Sequence, residues 1–460
     1  MRYLFPLLLL CGSLNAAVYD LSDFGFVAGG DDNWAAMQDI QATLVDGDSI
    51  VDATEGTYHI VMAANPACTL GGLSGITIDT PNATFYTASE ESTWDMWRLV
   101  QCTNVFIRLK TAGVMAGDVT TYGINGIHLY GTNDTVEVQT ISERMHRSVM
   151  VGGWELGANL FFGNTNITIT STNTDCRYGV DLRITDGFVV TNDSQGTLAN
   201  DWAFHRAVYV AGCTNGTVRS WAKDSNVTDS YHIVTSNPAG DHHAGSSNIT
   251  YYATDSGTTM WTPAYKSRKL AHVGIVSEHP FVTETVSMSD ISFILNATTT
   301  ATLFPSNHLF AVQSVGYGAR HVFERIKVGG AWDRADGDDN HYFGKSVAIW
   351  VGPHNSTVGS LTHYSAYGSV DIALEDFSDN ADSGGISLNI TVDDCPVTIT
   401  GCDTTLTGSQ LISFPLIQTY TDLGDCEDPD PEPEPPTPDP PAAGDKAAYD
   451  GETWFQGETQ

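Results

Sequence analysis

Short runs in which apolar and polar residues alternate recur along most of the chain. Examples are GIHLYGTNDTVEVQ at 126–139, AVYVAGCTNGTVRSW at 207–221 and AIWVGPHNSTVGSL at 348–361. A period of two predicts β-strands, and the Gly and Asn residues between the runs predict turns that include left-handed backbone. The runs therefore predict a protein built mainly from short strands and tight turns.

The predicted strands form a repeat. A Gly-x-x-Asn pattern occurs at 163–166, 212–215, 245–248 and 352–355. Related Asn positions, including 82, 104, 133 and 166, recur at intervals of roughly 20–50 residues, and we interpret the intervals 166–215 and 248–296 as two turns each. A period of this length predicts a solenoid, in which each coil of strands buries its inner face against the next.

One segment before the repeat has a helical period instead. In NWAAMQDIQATL, Met37, Ile40 and Leu44 fall on one helical face, and Asp31 and Asp32 stand where N-cap residues are expected. An open solenoid end exposes core and unpaired strand edges, so we expect this helix to cover the first coil. The segment DSIVDATEGTYHI that follows it is predicted to be the first strand.

This N-terminal pattern, DFG…GGDDNWAAMQ…GDSIV…EGTYHI, resembles the start of pectate-lyase-like right-handed parallel β-helix proteins. It departs from their signature at Glu55, where the family has a proline before Gly-Thr-Tyr. The resemblance implies an all-β fold, a single-stranded right-handed parallel β-helix with a short N-terminal capping helix. It leaves the reaction open, because the family includes polysaccharide lyases, glycoside hydrolases, epimerases, viral tail spikes and non-enzymatic adhesins.

The two ends of the chain differ from the repeat. Residues 1–17, MRYLFPLLLLCGSLNAA, predict a secretory signal peptide and hence a secreted, extracellular or periplasmic protein. We expect an N-terminal cap at 18–48, the β-helix at 49–424, an acidic Pro-rich linker at 425–443 and a short tail at 444–460. The tail resembles the end of a chitin-binding module; the alternative is a tail with no structure of its own.

Charge narrows the range of partners. The chain has 20 Lys and Arg against 55 Asp and Glu, a formal net charge of −35. This balance argues against nucleic acid and anionic membranes as partners, and binding of an acidic polysaccharide would need a local basic patch or bound cations. After the leader no apolar run is long enough for a membrane helix. A polysaccharide or cell-surface glycan is the predicted partner, and the oligomeric state stays open between a monomer and a spike-like trimer.

Cysteines and sequons each allow two interpretations. An exported chain permits disulfides, and we expect Cys68–Cys102, Cys176–Cys213 and Cys395–Cys402, with buried thiols as the alternative. Asn-x-Ser/Thr sequons occur ten times. They are either glycosylation sites or simply the turns of the repeat, in which an Asn precedes a β-branched strand.

One set of polar residues is similar to the order found in polygalacturonase-like hydrolases. It consists of Asp175 after Asn-Thr, then Asp201, His243, Arg325 and Lys327. In this interpretation one carboxylic acid protonates the leaving oxygen, another carboxylate activates water, and Arg and Lys bind the sugar. The sequence departs from the family pattern in having one Asp where a pair is usual, and the alternative is a set of ordinary turn and strand residues.

A second candidate site lies in AYKSRKLAH at 264–272. Lys266, Arg268 and Tyr265 would remove the proton next to a uronate carboxylate and neutralise that carboxylate, as a lyase does. The alternative is a solvated basic loop. Trp261, in a predicted insert, is expected to be a sugar-stacking platform. No metal ligands are assigned; calcium is left open by DRADGDDN at 333–340, although the downstream Glu of an EF-hand is missing.

These patterns favour an exported polysaccharide-active enzyme, a hydrolase or a lyase, that cleaves glycosidic bonds in a groove along the β-helix. The alternative is a non-catalytic glycan-binding adhesin or a viral spike-like β-helix. Export, the linker and the tail support the enzyme, while the lack of a complete catalytic motif supports the binding protein.

Overall fold

The structure is a computed structural model of the 460-residue chain. It describes residues 16–30, 32–89, 94–114, 124–152, 163–196, 206–223, 226–227, 232–235, 245–260, 270–279, 285–299, 307–316, 320–334, 347–353, 357–358, 361–362, 366–378, 386–388, 397–402, 412–413 and 419–422. Residues 1–15 of the predicted signal peptide, the predicted linker and the tail lie outside these ranges.

Strands dominate the described residues. They contain one 3₁₀ turn at Leu21–Phe24 and one α-helix, α1, at Trp34–Thr43. The strands, in chain order, are β1 Val18–Tyr19, β2 Ser49–Val51, β3 Gly56–His59, β4 Cys68–Gly71, β5 Thr77–Tyr86, β6 Asp95–Val100, β7 Thr103–Ala112, β8 Asn125–Tyr130, β9 Asp134–Glu143, β10 Arg147–Val151, β11 Asn164–Thr174, β12 Tyr178–Arg183, β13 Thr185–Gln195, β14 Arg206–Ala211, β15 Thr214–Lys223, β16 Asn226–Val227, β17 His232–Thr235, β18 Ser247–Met260, β19 Leu270–His279, β20 Thr285–Thr299, β21 Asn307–Gly316, β22 Arg320–Arg334, β23 Val347–Pro353, β24 Thr357–Val358, β25 Leu361–Thr362, β26 Ala366–Ser378, β27 Ile386–Leu388, β28 Val397–Cys402, β29 Ile412–Ser413 and β30 Thr419–Asp422.

The chain passes back and forth between two parallel sheets. Sheet A has the order β1-β2-β5-β7-β9-β11-β13-β15-β18-β20-β22-β26-β28-β30, and sheet B has the order β4-β6-β8-β10-β12-β14-β17-β19-β21-β23-β27-β29. From β4 to β15 each coil adds one strand to each sheet, so coils stack at the strand spacing of about 4.8 Å. The predicted parallel β-helix with one N-terminal helix is therefore confirmed.

The core is a stack of equivalent residues from successive coils. Alternation along each strand sends every second side chain inward, and the strand registers align these side chains into columns parallel to the solenoid axis. The clearest column of sheet A, in which every member is at most 1% exposed, consists of Ile78, Ile107, Val138, Ile169, Val190, Val218, Tyr251 and Phe293. Burial of each such side chain contributes about 1.5–3 kcal/mol to stability.

A second column inside the coils is polar. Asn192 donates to the hydroxyls of Ser194 at 2.9 Å and Ser220 at 3.2 Å, and its Oδ1 accepts from Asn173 at 2.8 Å. The Asn173 Oδ1 accepts from Ser194 at 2.8 Å. These side chains are at most 4% exposed. Their mutual hydrogen bonds remove the cost of burying polar groups and tie three successive strands of sheet A together.

One left-handed residue lies in each of these coils, at or near the start of the sheet A strand as far as β18 and within the strand in β20 and β22. The aligned positions have φ between 52° and 72° and are Gly75, Asn104, Thr135, Asn166, Gly187, Asn215, Asn248, Asp290 and Arg325. Gly, Asn and Asp reach this conformation most easily, which explains the recurring Asn of the sequence repeat. We call this set the left-handed column.

The left-handed column corrects part of the predicted repeat. Asn133 is fully buried at a corner, and Thr135 takes the equivalent place in that coil. The interval 166–215 does contain two turns, because Gly187 lies between them. The interval 248–296 contains one, because Asp290 already continues the column. Thr135 and Asp290 were missed because neither matches an Asn-based pattern.

The N-terminal helix covers the first coil as predicted. Met37 and Ile40 are fully buried and Leu44 is nearly so. The N-cap is Asn33 rather than an aspartate, although the carboxylate of Asp32 accepts from the backbone N–H of Trp34 at 2.8 Å. Asp31 lies outside the described residues. The predicted first strand is divided into β2 and β3.

Two of the predicted disulfides are wrong. Cys68, Cys102, Cys176 and Cys213 are buried and form no disulfide. Cys176 comes just before β12 and Cys213 just after β14, and strands of six residues separate such positions by about 20 Å. Cys68 begins β4 and Cys102 follows the neighbouring β6, five residues beyond the register partner of Cys68, whereas a disulfide needs Cα atoms within about 7 Å. Of the third predicted pair, Cys395 lies outside the described residues.

Candidate functional site

The outer face of sheet B carries charged side chains that are almost completely buried. Inward residues of these strands, such as Val180 and Leu182 in β12, are apolar and fully buried. This fixes the pleat, so Asp181 and Arg183 lie on the other face of the same strand. Both are at most 6% exposed. Charges in such a place must be paired, and the contacts around them show how.

Asp181 is the centre of one network. Its carboxylate accepts from Arg147 Nε at 2.6 Å and from Arg183 Nε and Nη2, each at 2.7 Å. Burial alone would raise the pKa of Asp181, but the charges and hydrogen bonds of Arg183 and Arg147 outweigh burial and hold it well below its usual range. Asp181 therefore stays ionised and positions the two guanidinium groups.

Two tyrosines gather further guanidinium groups on this face. The guanidinium carbons of Arg147, Arg177 and Arg206 lie 5.0, 5.7 and 5.6 Å from the centre of the Tyr178 ring. Arg206 also lies 4.9 Å from the ring centre of Tyr209. These are cation–π distances, and the negative face of each ring offsets some of the repulsion between the cations.

We call Arg147, Arg177, Arg183 and Arg206, with Asp181, the arginine cluster. Three strands of sheet B and the turn before β12 contribute to it. Its described members number four guanidinium groups and one carboxylate. The chain has only 20 basic residues and a net charge of −35, so this concentration of Arg runs against its overall composition. Arg177 and Arg206 are partly exposed, whereas Arg147 and Arg183 are buried.

His146 lies beside the arginine cluster and is 2% exposed. Burial, followed by the charges of Arg147 and Arg177, lowers the pKa of His146 well below its usual range, so the imidazole is neutral. Its Nδ1 lies 3.0 Å from Nη1 of Arg147, which can only donate. The proton of the neutral ring is therefore on Nε2. The unprotonated nitrogen of His146 is thus already engaged by Arg147.

A second network on the same face centres on Asp95. Its carboxylate lies 2.8 Å from Nδ1 of His128 and accepts from Asn125 at 2.7 Å and from Arg98 Nε at 2.6 Å. Burial would raise the pKa of Asp95, but His128, Arg98 and Asn125 hold it below the usual range. Asn125 Oδ1 accepts from Arg147 at 3.3 Å and so joins the two networks. Both buried carboxylates are ionised.

The structure separates the candidates predicted from sequence. Asp175 is a buried turn residue just before β12, with φ of 53° and its N–H bonded to the Gln195 carbonyl. Arg325 is exposed on sheet A and binds the carboxylate of Asp290 at 2.5 and 2.7 Å. Lys327 is also exposed on sheet A. The other candidates, Asp201, His243, Trp261, Tyr265, Lys266 and Arg268, lie outside the described residues.

Sequence reasoning missed the arginine cluster although a signal was present. In RYGVDLR at 177–183, charged residues two apart alternate with apolar ones. That spacing places Asp181 and Arg183 on one face of a strand. Arg147 and Arg206 belong to the neighbouring coils, and only the strand registers bring them alongside.

Among the described residues, no group of three or more His, Cys, Asp or Glu side chains could hold a metal ion. The acidic segment considered for calcium lies outside them from residue 335 onward. Nor does the described part contain a helix long and apolar enough to cross a membrane.

Comparisons with known proteins give structural matches without sequence relatives. No family model and no curated protein matches the chain. The endo-xylogalacturonan hydrolase of Aspergillus tubingensis is 14% identical with a TM-score of 0.38, covering 89% of this chain and 100% of that one. The mannuronan C-5 epimerase A-module of Azotobacter vinelandii is 15% identical with a TM-score of 0.37, covering 89% and 100%.

Tailspike protein 2 of the Escherichia coli O157:H7 bacteriophage CAB120 is similar to the same degree. It is 14% identical with a TM-score of 0.40, and the match covers 86% of this chain and 47% of that one. Identities of 15% or less and TM-scores below 0.5 do not transfer the activity of any of these proteins to this chain. Its function has to be argued from its own residues.

Proposed function

We propose that the protein is an exported, polysaccharide-active β-helix that binds an acidic glycan at the arginine cluster. The observation that carries this proposal is the gathering of four guanidinium groups on the outer face of sheet B in a chain of net charge −35. A planar guanidinium binds a carboxylate through two parallel hydrogen bonds. The partly exposed Arg177 and Arg206 are the groups we assign to the carboxylate of a uronate sugar.

Elimination fits this site better than hydrolysis. A hydrolase of the two-carboxylate type needs one carboxyl group that is protonated near neutral pH. Asp95 and Asp181, the buried carboxylates of the two networks, are instead held ionised by their cationic neighbours. Guanidinium groups beside a uronate carboxylate favour elimination, because neutralising that carboxylate makes the adjacent C–H more acidic.

In an elimination a base takes the proton next to the carboxylate and a carbon–carbon double bond forms. The bond to the leaving glycosidic oxygen breaks, and that oxygen takes up a proton. The neutral His146 is poorly suited to be the base, because its unprotonated nitrogen accepts from Arg147. Lys266 and Tyr265, which the sequence places in an insert, remain our candidates for the base, with Arg268 beside them.

A non-catalytic glycan-binding protein is the second candidate function. The arginine cluster and His146 supply hydrogen-bond donors almost exclusively, and Asp181 already engages Arg147 and Arg183. Such a site recognises an anion without any group that must gain or lose a proton. This observation favours binding alone.

Incubation with polygalacturonate, alginate and a neutral β-glucan separates these functions. We expect the two polyuronates to yield products with the ultraviolet absorbance of unsaturated uronates, and Arg206→Ala to lower kcat/KM by about tenfold or more. Arg108→Ala is the matched control, since Arg108 is a sheet A residue paired with Asp79. New reducing ends without that absorbance would indicate hydrolysis, and binding without either product would indicate the second candidate. Equal behaviour of Arg206→Ala and the wild type would refute the site.

A further inference from the structure

The outer face of sheet A presents two exposed aromatic side chains on neighbouring strands. Trp221 of β15 is 44% exposed and Tyr252 of β18 is 39% exposed. The register pairs Trp221 with Thr254 and Arg219 with Tyr252, so the two rings are diagonal neighbours on one face. Rings held on adjacent parallel strands, about 4.8 Å apart, form a rigid surface rather than two independent side chains.

Arg219 fixes one of these rings. Its guanidinium carbon lies 5.2 Å from the centre of the Tyr252 ring, a cation–π distance. The cross-strand neighbours of Trp221 are polar: Asp193 pairs with it from the preceding strand and Thr254 from the following one. Tyr252 pairs with the partly buried Ile294 of the following strand. The Trp221 ring is therefore bordered by groups that bind hydroxyls, whereas the Tyr252 ring has Arg219 on one side and an apolar residue on the other.

A groove crosses the same sheet and ends two residues before Tyr252, at Thr250, and four residues before Trp221, at Thr217. It has a volume of about 630 Å³ and follows the left-handed column, where the amides of Asn166, Asn215 and Asn248 line it together with Thr217 and Thr250. Its lining extends from β9 to β18, five strands of sheet A, so its length is about 19 Å.

Two glycines line the groove. Gly187 belongs to the left-handed column, and Gly216 directly follows Asn215 in the next coil. A Cβ atom at Gly216 would lie 2.0 Å from the ring of Phe188, so this position has no room for a side chain. The Phe188 ring therefore packs directly against the backbone of Gly216.

The chemistry of this face points to a sugar chain. Apart from the neighbouring Trp221 and Tyr252, the exposed large apolar residues of this face, Ile141 and Val189, are separated by polar residues, so the face lacks the extended apolar centre that a stable protein interface needs. Charges of both signs, Arg219 and Lys223 against Asp186 and Asp193, leave no strong field for an acidic or basic ligand. Flat rings beside hydroxyl, amide and carboxylate groups suit the apolar faces and the hydroxyls of neutral sugars.

We propose that the outer face of sheet A, from Trp221 and Tyr252 to the groove beside them, is a second glycan-binding site that takes a neutral oligosaccharide. The site is separate from the arginine cluster, because the filled core lies between the outer faces of the two sheets. It does not depend on the function proposed for that cluster.

Affinity electrophoresis of the full chain in gels that contain mixed-linkage β-glucan, xylan or galactomannan tests this site. We expect at least one of these neutral polysaccharides to retard the wild type, and Trp221→Ala and Tyr252→Ala each to weaken binding by about tenfold or more. Ile141→Ala is the matched control, because Ile141 is 52% exposed and lies in the same cross-strand row as Trp221, three strands away. Circular dichroism of each variant establishes that it is folded.

Three outcomes would overturn the proposal. One is that none of the three polysaccharides retards the wild type. Another is that Trp221→Ala and Tyr252→Ala are retarded as strongly as the wild type. The same conclusion holds if Arg206→Ala loses binding of the neutral glycan while these two variants keep it. The third is that the wild type sediments as an oligomer that Trp221→Ala dissociates, because the face would then be an interface between copies of the chain. If Arg206→Ala behaves like the wild type on polyuronates, the site proposed at the arginine cluster is refuted and the proposal for sheet A is unaffected.

Discussion

Replacing Asp181 with asparagine removes the one negative charge of the arginine cluster at nearly constant volume. The wild-type carboxylate is fully buried and accepts three charge-assisted hydrogen bonds of 2.6–2.7 Å from Arg147 and Arg183. The amide keeps one acceptor but turns an N–H toward guanidinium donors, and it leaves two buried cations without a counter-ion. Breaking a buried ion pair in this way costs about 3–5 kcal/mol.

Urea unfolding followed by tryptophan fluorescence measures this loss. Asp186→Asn is the control, because Asp186 is exposed and its carboxylate accepts from the side chains of Thr214 and Asn215, each at 2.6 Å. We expect the control to cost about 1 kcal/mol or less, since water replaces its partners. If Asp181→Asn unfolds within about 0.5 kcal/mol of the wild type, the buried network does not stabilise the fold as described.

The stability difference between the wild type and Asp181→Asn has a predictable dependence on pH. The folded pKa of Asp181 lies below that of the unfolded chain, which is about 3.9. Stability from such a group is fully present above the unfolded pKa and is lost as pH falls through the folded pKa. The stability difference between the wild type and Asp181→Asn should therefore be constant above about pH 5 and shrink below about pH 4. A difference that grows on acidification would contradict the assignment.

Three further predictions concern the coils themselves. Asn192→Ala removes three buried hydrogen bonds and should cost about 2–4 kcal/mol in thermal or urea unfolding; a cost below about 0.5 kcal/mol would show that the internal polar column is not stabilising. Gly216→Ala places a Cβ against the Phe188 ring and should cost about 1–3 kcal/mol, partly restored by Phe188→Leu; no loss of Tm would contradict the packing. Peptide mapping after native iodoacetamide treatment should find Cys68, Cys102, Cys176 and Cys213 unlabelled until denaturant is added, because burial raises their thiol pKa values, to about 12 for Cys213. A disulfide among them would refute the structure at these positions.

The fold was largely predictable because its physics is local. Alternation within each run and an Asn at several of the left-handed turns are properties of single coils, and they suffice to predict a parallel solenoid. The details of the repeat were not predictable in the same way, because Thr135 and Arg325 also adopt the left-handed backbone that glycine and asparagine prefer. Contacts with neighbouring coils hold those residues in this conformation, and the pattern of a single sequence does not reveal such contacts.

The candidate site was less predictable because it depends on contacts between coils. Arg147, Asp181 and Arg206 are neighbours only because β10, β12 and β14 are in register, and loops of different length hide that register in the sequence. The predicted Cys176–Cys213 disulfide failed for the same reason, since nearness in coil number says nothing about which end of a strand each thiol occupies.

Crystals soaked with a short oligogalacturonate test the central claim most directly. The account predicts electron density for a uronate on the outer face of sheet B, with its carboxylate within hydrogen-bonding distance of Arg177 or Arg206 and its ring beside Tyr178. It predicts that this density is lost in Arg206→Ala crystals and kept in Arg108→Ala crystals. Density for the oligogalacturonate at another place on the molecule, with an empty arginine cluster at saturating ligand, would contradict the account.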